Sequence, residues 1–283
     1  MAIFTNQATL SYNNTVTTSN VTTGELLEVL SVTKTALQNT YGPNDAVVYF
    51  IQLVNTGTVP FTALTVSDDL GAYDFDGATV TPLDYVDGTL RYFADGVLQP
   101  APAVTAGPPL TVSGITVPAG GSALLVYEAQ PNAFAPGGAG AAITNIATVS
   151  GGGLSAPLTA EATVTAASAP YLTISKSLCP LTVTENGQLT YTFWLQNSGS
   201  APAVATDNAV ITDTFSPILS GLTVTFNGEV WTEGVDYTYD EATGAFATLP
   251  GRITVPAATF TQNASGVWVS EPGTAVLRVT GTV

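Results

Sequence analysis

Apolar and polar residues alternate along much of the chain. In LEVLSVTKTAL and YLTISKSL apolar positions recur at every second residue, the period of a half-buried β-strand. Val, Thr, Ala, Tyr and Phe dominate such stretches, and 27 glycines and 18 prolines break them at short intervals. The pattern predicts an all-β chain of short strands joined by turns, with Ig-like β-sandwiches favoured over a barrel or propeller. A length of 283 residues leads us to expect two domains, each able to bury its own core. No apolar run of membrane-spanning length occurs, so no membrane insertion is expected.

The chain repeats itself at about half its length. LSVTKTAL around Lys34 matches LTISKSL around Lys176, and YFIQLVNTGTVP with Asn55 matches YTFWLQNSGSAP with Asn197, both at an offset of 142 residues. LTVSDDL with Asp68 matches VITDTF with Asp213, and GITVPAGGSALLVYEA matches RITVPA and PGTAVLRVTG, with extra residues between the two pieces in the second copy. The first copy then continues into AAITNIATVSG with Asn145, whereas the second stops after VLRVTGTV. A counterpart of the absent piece stands at the other end of the chain, where FTNQATLSY with Asn6 matches ITNIATVSG. A turn at Asn13 and Asn14 and a second Thr-rich strand complete a hairpin there.

This order predicts an N-terminal donor strand or hairpin with its linker (1–25), a complete Ig-like domain (26–168), and a second domain (169–283) that lacks its final strand. An incomplete sandwich exposes an apolar groove and unpaired edge groups, which favours addition of a matching strand. If the donor face of Phe4, Asn6, Ala8, Leu10 and Tyr12 fills domain 2 of a neighbouring subunit, the contact is heterologous and builds an open homopolymer. The same hairpin could instead fold back into its own domain 2, which its length permits.

Strand parity then places three polar residues on apolar faces. Lys34 shares a face with Leu30, Val32 and Ala36, and Lys176 with Leu172, Ile174 and Leu178. Asp68 lies with Leu64, Val66 and Leu70, and Asp213 with Ala209, Ile211 and Phe215. Asn145 lies with Ile143, Ala147 and Val149. Burial of an ammonium is costly and leads to neutralisation or pairing. A neutral buried Lys is a nucleophile, and a protonated Asp beside it can polarise an Asn carbonyl, so attack with loss of ammonia would give a Lys to Asn isopeptide bond. The alternative is a buried ion pair with Asn completing its hydrogen bonds.

Lys on the first strand, an acid on a middle strand and Asn on the last strand resemble the self-crosslinking, collagen-adhesin type domains of Gram-positive adhesins and pilins. The resemblance implies Lys34 and Lys176 as nucleophiles, Asp68 and Asp213 as catalytic acids, and Asn145 and Asn6 as acceptors. The order of Lys strand, NTG or NSG turn, strand ending in Asp, and TN-x-A-T is similar to a conserved repeat domain of unknown function in bacterial surface and spore-associated proteins. Relocation of the final strand makes the second set of residues intermolecular.

Composition narrows the function further. Five Lys plus Arg against 21 Asp plus Glu give a net charge of −16, which excludes nucleic acid and anionic membranes as natural partners. With no His and a single Cys, Cys179, an ordinary enzyme and a disulfide framework are not expected. Only two of the five basic residues are Lys, and both take the same place in the repeat. The start MAIFTNQATLSYNN does not read as a signal peptide, so export either precedes this numbering or is not required.

Asp74, Asp76, Asp84 and Asp87 offer oxygen ligands for calcium but lack the spacing of a known loop, and no other cofactor is expected. Trp194, Trp231 and Trp268 are candidate sugar-stacking residues or core aromatics, and Asn13, Asn20 and Asn263 fit glycosylation triplets. The reading is a subunit of an extracellular filament on a bacterial cell or spore surface. The alternative is a monomeric adhesin-type binding module of two Ig-like domains.

Overall fold

A computed structural model of the chain describes residues 2–42 and 45–283. Among them the one helical element is a short 3-10 turn at Ala205–Asp207, and the rest is strand and turn. Alternation is realised in burial. Val47–Asn55 turns Val47, Tyr49, Ile51 and Leu53 inward, and Gln188–Asn197 does the same with Leu189, Tyr191, Phe193 and Leu195. Two separate cores result, one spanning Leu30 to Ala166 and one Leu189 to Val279. The chain is a tandem pair of Ig-like β-sandwiches.

In domain 1 the first sheet runs Val97–Leu98, Arg91–Ala94, Ser122–Pro131, Val47–Asn55, Leu30–Ala36. The second runs Ala103–Thr105, Leu110–Val117, Phe61–Asp68, Ala142–Gly151, Leu158–Ala166, Thr40–Tyr41. Domain 2 repeats the first sheet strand for strand, as Glu229–Trp231, Ser220–Phe226, Gly273–Thr282, Gln188–Asn197, Leu172–Cys179. Its second sheet has only Tyr237–Asp240, Ala245–Thr248 and Thr212–Thr214. Among the described residues nothing in domain 2 corresponds to Ala142–Gly151 and Leu158–Ala166, so the Thr212–Thr214 strand ends its sheet with one side unpaired.

The N-terminal segment forms a hairpin of its own. Ala2–Asn6 pairs with Thr22–Leu26 and Thr9–Tyr12 with Thr15–Thr18, around a turn in which Asn13 and Asn14 both take positive φ. Its apolar side chains lie open: Phe4 is 58% and Leu10 61% exposed, with Ile3, Tyr12, Val16 and Val21 also exposed. The hairpin is not folded back into domain 2.

The NTG and NSG turns fasten the segment entering each domain. Asn197 Oδ1 accepts from the backbone N–H groups of Tyr171 and Gly199, while its Nδ2 donates to the carbonyls of Ala201 and Pro256. A side chain at Gly199 would run into the backbone of Ala169–Tyr171, which explains the glycine. Asn55 makes three of these four bonds in domain 1, with the Val59 and Pro118 carbonyls and the Gly57 N–H, and there the entering segment is held by the Thr56 N–H, which donates to the Val29 carbonyl. The extra residues of the second copy form a hairpin, Thr259–Gln262 with Trp268–Glu271, that lies against domain 1: the Trp268 N–H donates to the Ala133 carbonyl and Gln262 Nε2 to the Tyr73 hydroxyl.

Candidate functional site

Three strands of domain 1 bring Lys34, Asp68 and Asn145 together through Tyr127. Lys34 is on the edge strand of the first sheet, opposite Ile51, and points inward. Asp68 closes its strand between Leu110 and Ala147, and Asn145 stands two residues before Ala147 on the adjoining strand. All three are buried among aliphatic and aromatic side chains. Lys34 Nζ lies 2.5 Å from Asp68 Oδ2 and 5.0 Å from the centre of the Tyr49 ring. The Leu70 N–H donates to Asp68 Oδ1 at 3.1 Å, and the Tyr127 hydroxyl donates to Oδ2 at 2.5 Å. Asn145 Nδ2 donates to that same hydroxyl at 3.2 Å. Asn145 Oδ1 and the Tyr49 hydroxyl are buried without a partner among the described residues.

Burial pushes the Lys34 ammonium down from its ordinary pKa, against the opposing pull of Asp68. Burial, with the Asp68 carboxylate beside it, pushes the Tyr127 phenol well up, so that it stays protonated. A primary amine, a carboxyl group and a carboxamide are therefore held together in a core. That set is chemically competent for exchange of the amide nitrogen, with the amine replacing ammonia. The unpartnered carbonyl oxygen leaves a desolvation cost of about 1–3 kcal/mol unanswered in the unreacted state.

Domain 2 presents the same pair without cover. Lys176 and Asp213 form an ion pair, and Lys176 Nζ lies 4.2 Å from the Tyr191 ring centre, with Phe193 and Phe215 nearby. Lys34 has no exposed side-chain surface, whereas the Lys176 side chain is 39% exposed. Lys176 thus shares the apolar face of its strand, as Lys34 does, but that face is uncovered. Its face of the strand is open because no strand stands beside Thr212–Thr214, and Ile174 and Leu172 on that face are exposed as well. Within one chain Asn6 is not brought to Lys176; it lies on the exposed N-terminal hairpin with Phe4, Ala8, Leu10 and Tyr12.

Tyr127 is the site residue that sequence reasoning missed. Its inward parity with Leu125 and Ala129 was a usable signal, but which polar groups its hydroxyl meets depends on the opposite sheet. The other candidates are dispersed. Asp74 accepts from the Gly77 N–H and Asp84 from Asn132 Nδ2. Among the described residues no group of three or more His, Cys, Asp or Glu side chains could hold a metal ion. Trp231 stacks on Phe226, Trp194 is exposed, and Trp268 lies at the contact between the domains, so the three form no common face. Cys179 is exposed, Asn13 occupies the N-terminal hairpin turn, Asn20 is exposed, and Asn263 Oδ1 caps a turn at Ser265 and Val267.

No protein-family model and no curated protein matches the chain. Among solved structures it is similar to the collagen-binding domain from a Staphylococcus aureus adhesin, at 13% identity over 49% of this chain and 99% of that one, with a TM-score of 0.30. It is also similar to BcpA, the major pilin subunit of Bacillus cereus, at 14% identity over 96% of this chain and 73% of that one, TM-score 0.35. The full-length major pilin SpaD from Corynebacterium diphtheriae is 13% identical over 85% of this chain and 58% of that one, TM-score 0.36. The likeness is one of β-rich architecture, and the sandwich assignment rests on the sheet order itself.

Proposed function

We propose that the protein is the structural subunit of an extracellular filament on a bacterial cell or spore surface, assembled head to tail. In this reading the N-terminal hairpin of one subunit completes domain 2 of the next. The observation that carries it is a correspondence of two features: an exposed hairpin at 2–26, and an open sheet edge where domain 1 holds the matching hairpin 142–166.

The match extends to packing. In domain 1 Ala147 is paired with Asp68 and Asn145 is paired with Ala162. In the repeat Ala8 corresponds to Ala147 and Asn6 to Asn145, so a hairpin added to domain 2 in the same register would set Ala8 opposite Asp213 and give Asn6 the place that Asn145 holds in domain 1. Ile143 pairs with Val164, and at the matching place Phe4 pairs with Gly24, its ring filling the space a side chain there would need. The larger side chain and the missing one compensate, as expected of a unit shaped to enter a core.

The chemistry of the joint is Lys to Asn isopeptide formation, Lys34 with Asn145 inside each subunit and Lys176 with Asn6 between subunits. The unpartnered Asn145 Oδ1 favours this over a purely ionic network, in which that oxygen would accept from the ammonium. The protein turns over no external substrate. Intact mass spectrometry of the soluble subunit is expected to show a deficit of one ammonia that is absent in Asn145→Ala. A wild-type mass equal to the sequence mass contradicts the covalent reading and leaves a buried ion pair.

A second reading, a monomeric adhesin-type module, has one observation in its favour. A cavity of about 760 Å³ between the domains is lined by Tyr41, Tyr171, Phe260 and Trp268, and the Trp268 indole N–H is buried without a partner among the described residues. Electron microscopy separates the two, since only the first reading expects filaments.

A further inference from the structure

The hydrogen bonds of the domain 1 cluster contain a path that the Lys, Asp and Asn assignment leaves unused. Asp68 makes no hydrogen bond to Asn145. Both bond to the Tyr127 hydroxyl, which donates to Asp68 Oδ2 and accepts from Asn145 Nδ2. Among the described residues that hydroxyl is the one partner of the Asn145 side chain. Nδ2 is the atom that must depart as ammonia, and it cannot leave an amide without gaining a proton.

We propose that Tyr127 is a catalytic residue of domain 1 that relays a proton from Asp68 to the departing nitrogen of Asn145. The proposal rests on the Lys34 to Asn145 exchange put forward above. Lys34 first gives a proton to Asp68 Oδ2 and attacks Asn145 Cγ as a free amine. The Nζ–Cγ bond forms and the carbonyl electron pair moves onto Oδ1. Tyr127 then passes its hydroxyl proton to Nδ2 while taking the proton held by Asp68. As the carbonyl re-forms, the Cγ–Nδ2 bond breaks and ammonia leaves. The restored Asp68 carboxylate accepts the second proton from Nζ. The products are a neutral amide, a protonated Asp68 and ammonia, equal in atoms and charge to the starting ammonium, carboxylate and carboxamide.

The relay belongs to domain 1 alone. Tyr127 pairs with Tyr49 across the first sheet, and at the corresponding place in domain 2 Tyr191 pairs with Val279, which has no hydroxyl. Domain 1 also supplies an internal control. Tyr92 is buried in the same core, and its hydroxyl donates to the Thr116 carbonyl rather than to Asp68 or Asn145.

The test follows ammonia loss by intact mass in freshly synthesised full-length chain, with near-UV circular dichroism to confirm folding. Tyr92→Phe is expected to react at the wild-type rate and Tyr127→Phe roughly 10²–10⁴-fold more slowly, the usual range for a positioned acid or base. Equal rates for wild type and Tyr127→Phe, or equal slowing in both variants, would overturn the relay. Should Tyr127→Phe not fold, 3-fluorotyrosine at position 127 keeps the shape and the hydrogen bonds while making the phenol more acidic. A changed rate is then expected, and an unchanged one overturns the proposal. A wild-type chain that never loses ammonia removes the exchange itself and the relay with it, whereas a wild type that reacts alongside an unaffected Tyr127→Phe removes the relay alone.

Discussion

Lys176→Ala is expected to convert a covalent polymer into one held by strand pairing alone. Boiled in detergent, assembled wild-type protein should run as a ladder of multimers, and assembled Lys176→Ala as a single monomer band. The variant keeps both the N-terminal hairpin and the open edge at Thr212–Thr214, so filaments should still form in native buffer. Asn6→Ala should give the same result from the donor side, because the bond needs both atoms. Neither change touches the Lys34 cluster, so the ammonia deficit of domain 1 should persist in both. A ladder that survives in Lys176→Ala would place the cross-link elsewhere.

Removal of residues 1–26 is expected to abolish filaments altogether. The apolar side chains of the hairpin lie exposed, and it contributes no residue to the domain 1 core, so the truncated chain should keep the folded domains and lose only the donor. A finer variant, Phe4→Ala with Leu10→Ala, keeps the backbone pairing and removes most of the apolar contact. Each of those side chains is worth about 1.5–3 kcal/mol when fully buried, so the pair should weaken each joint by roughly two to four orders of magnitude in dissociation constant. Electron microscopy reads the truncation, and the concentration needed for polymerisation reads the double variant. Filaments of normal abundance from the truncated chain would mean that another surface drives assembly.

Much of this was legible in the sequence because β-structure writes its faces with a period of two. Parity alone put Lys34, Asp68 and Asn145 on inward faces, and the repeat aligned them with Lys176, Asp213 and Asn6. The missing final strand of the second copy already pointed to an exposed groove in domain 2, but how far Lys176 is uncovered depends on which strand stands beside Thr212–Thr214, a matter of sheet order. Tyr127 escaped for a related reason. Its ring reads as one more core aromatic, and its hydroxyl acquires meaning only when the opposite sheet delivers Asp68 and Asn145 to it. The hairpin at Thr259–Glu271 was visible as unmatched residues, yet its contacts with Ala133 and Tyr73 join positions far apart in the chain. Asn55 and Asn197 marked the repeat as sequence; both brace their turns, and Asn197 also fastens the segment entering domain 2 at Tyr171.

The central claim, that one subunit's hairpin completes and bonds to another's domain 2, is tested most directly by mixed-isotope cross-link mapping. Subunits of natural isotope content and uniformly nitrogen-15-labelled subunits are mixed before assembly, digested, and searched for the peptide pair joined between Asn6 and Lys176. Joined pairs carrying one light and one heavy partner are the predicted result. Pairs that are only light with light or heavy with heavy would show that the hairpin folds into its own chain, and the absence of any joined pair would contradict a covalent joint.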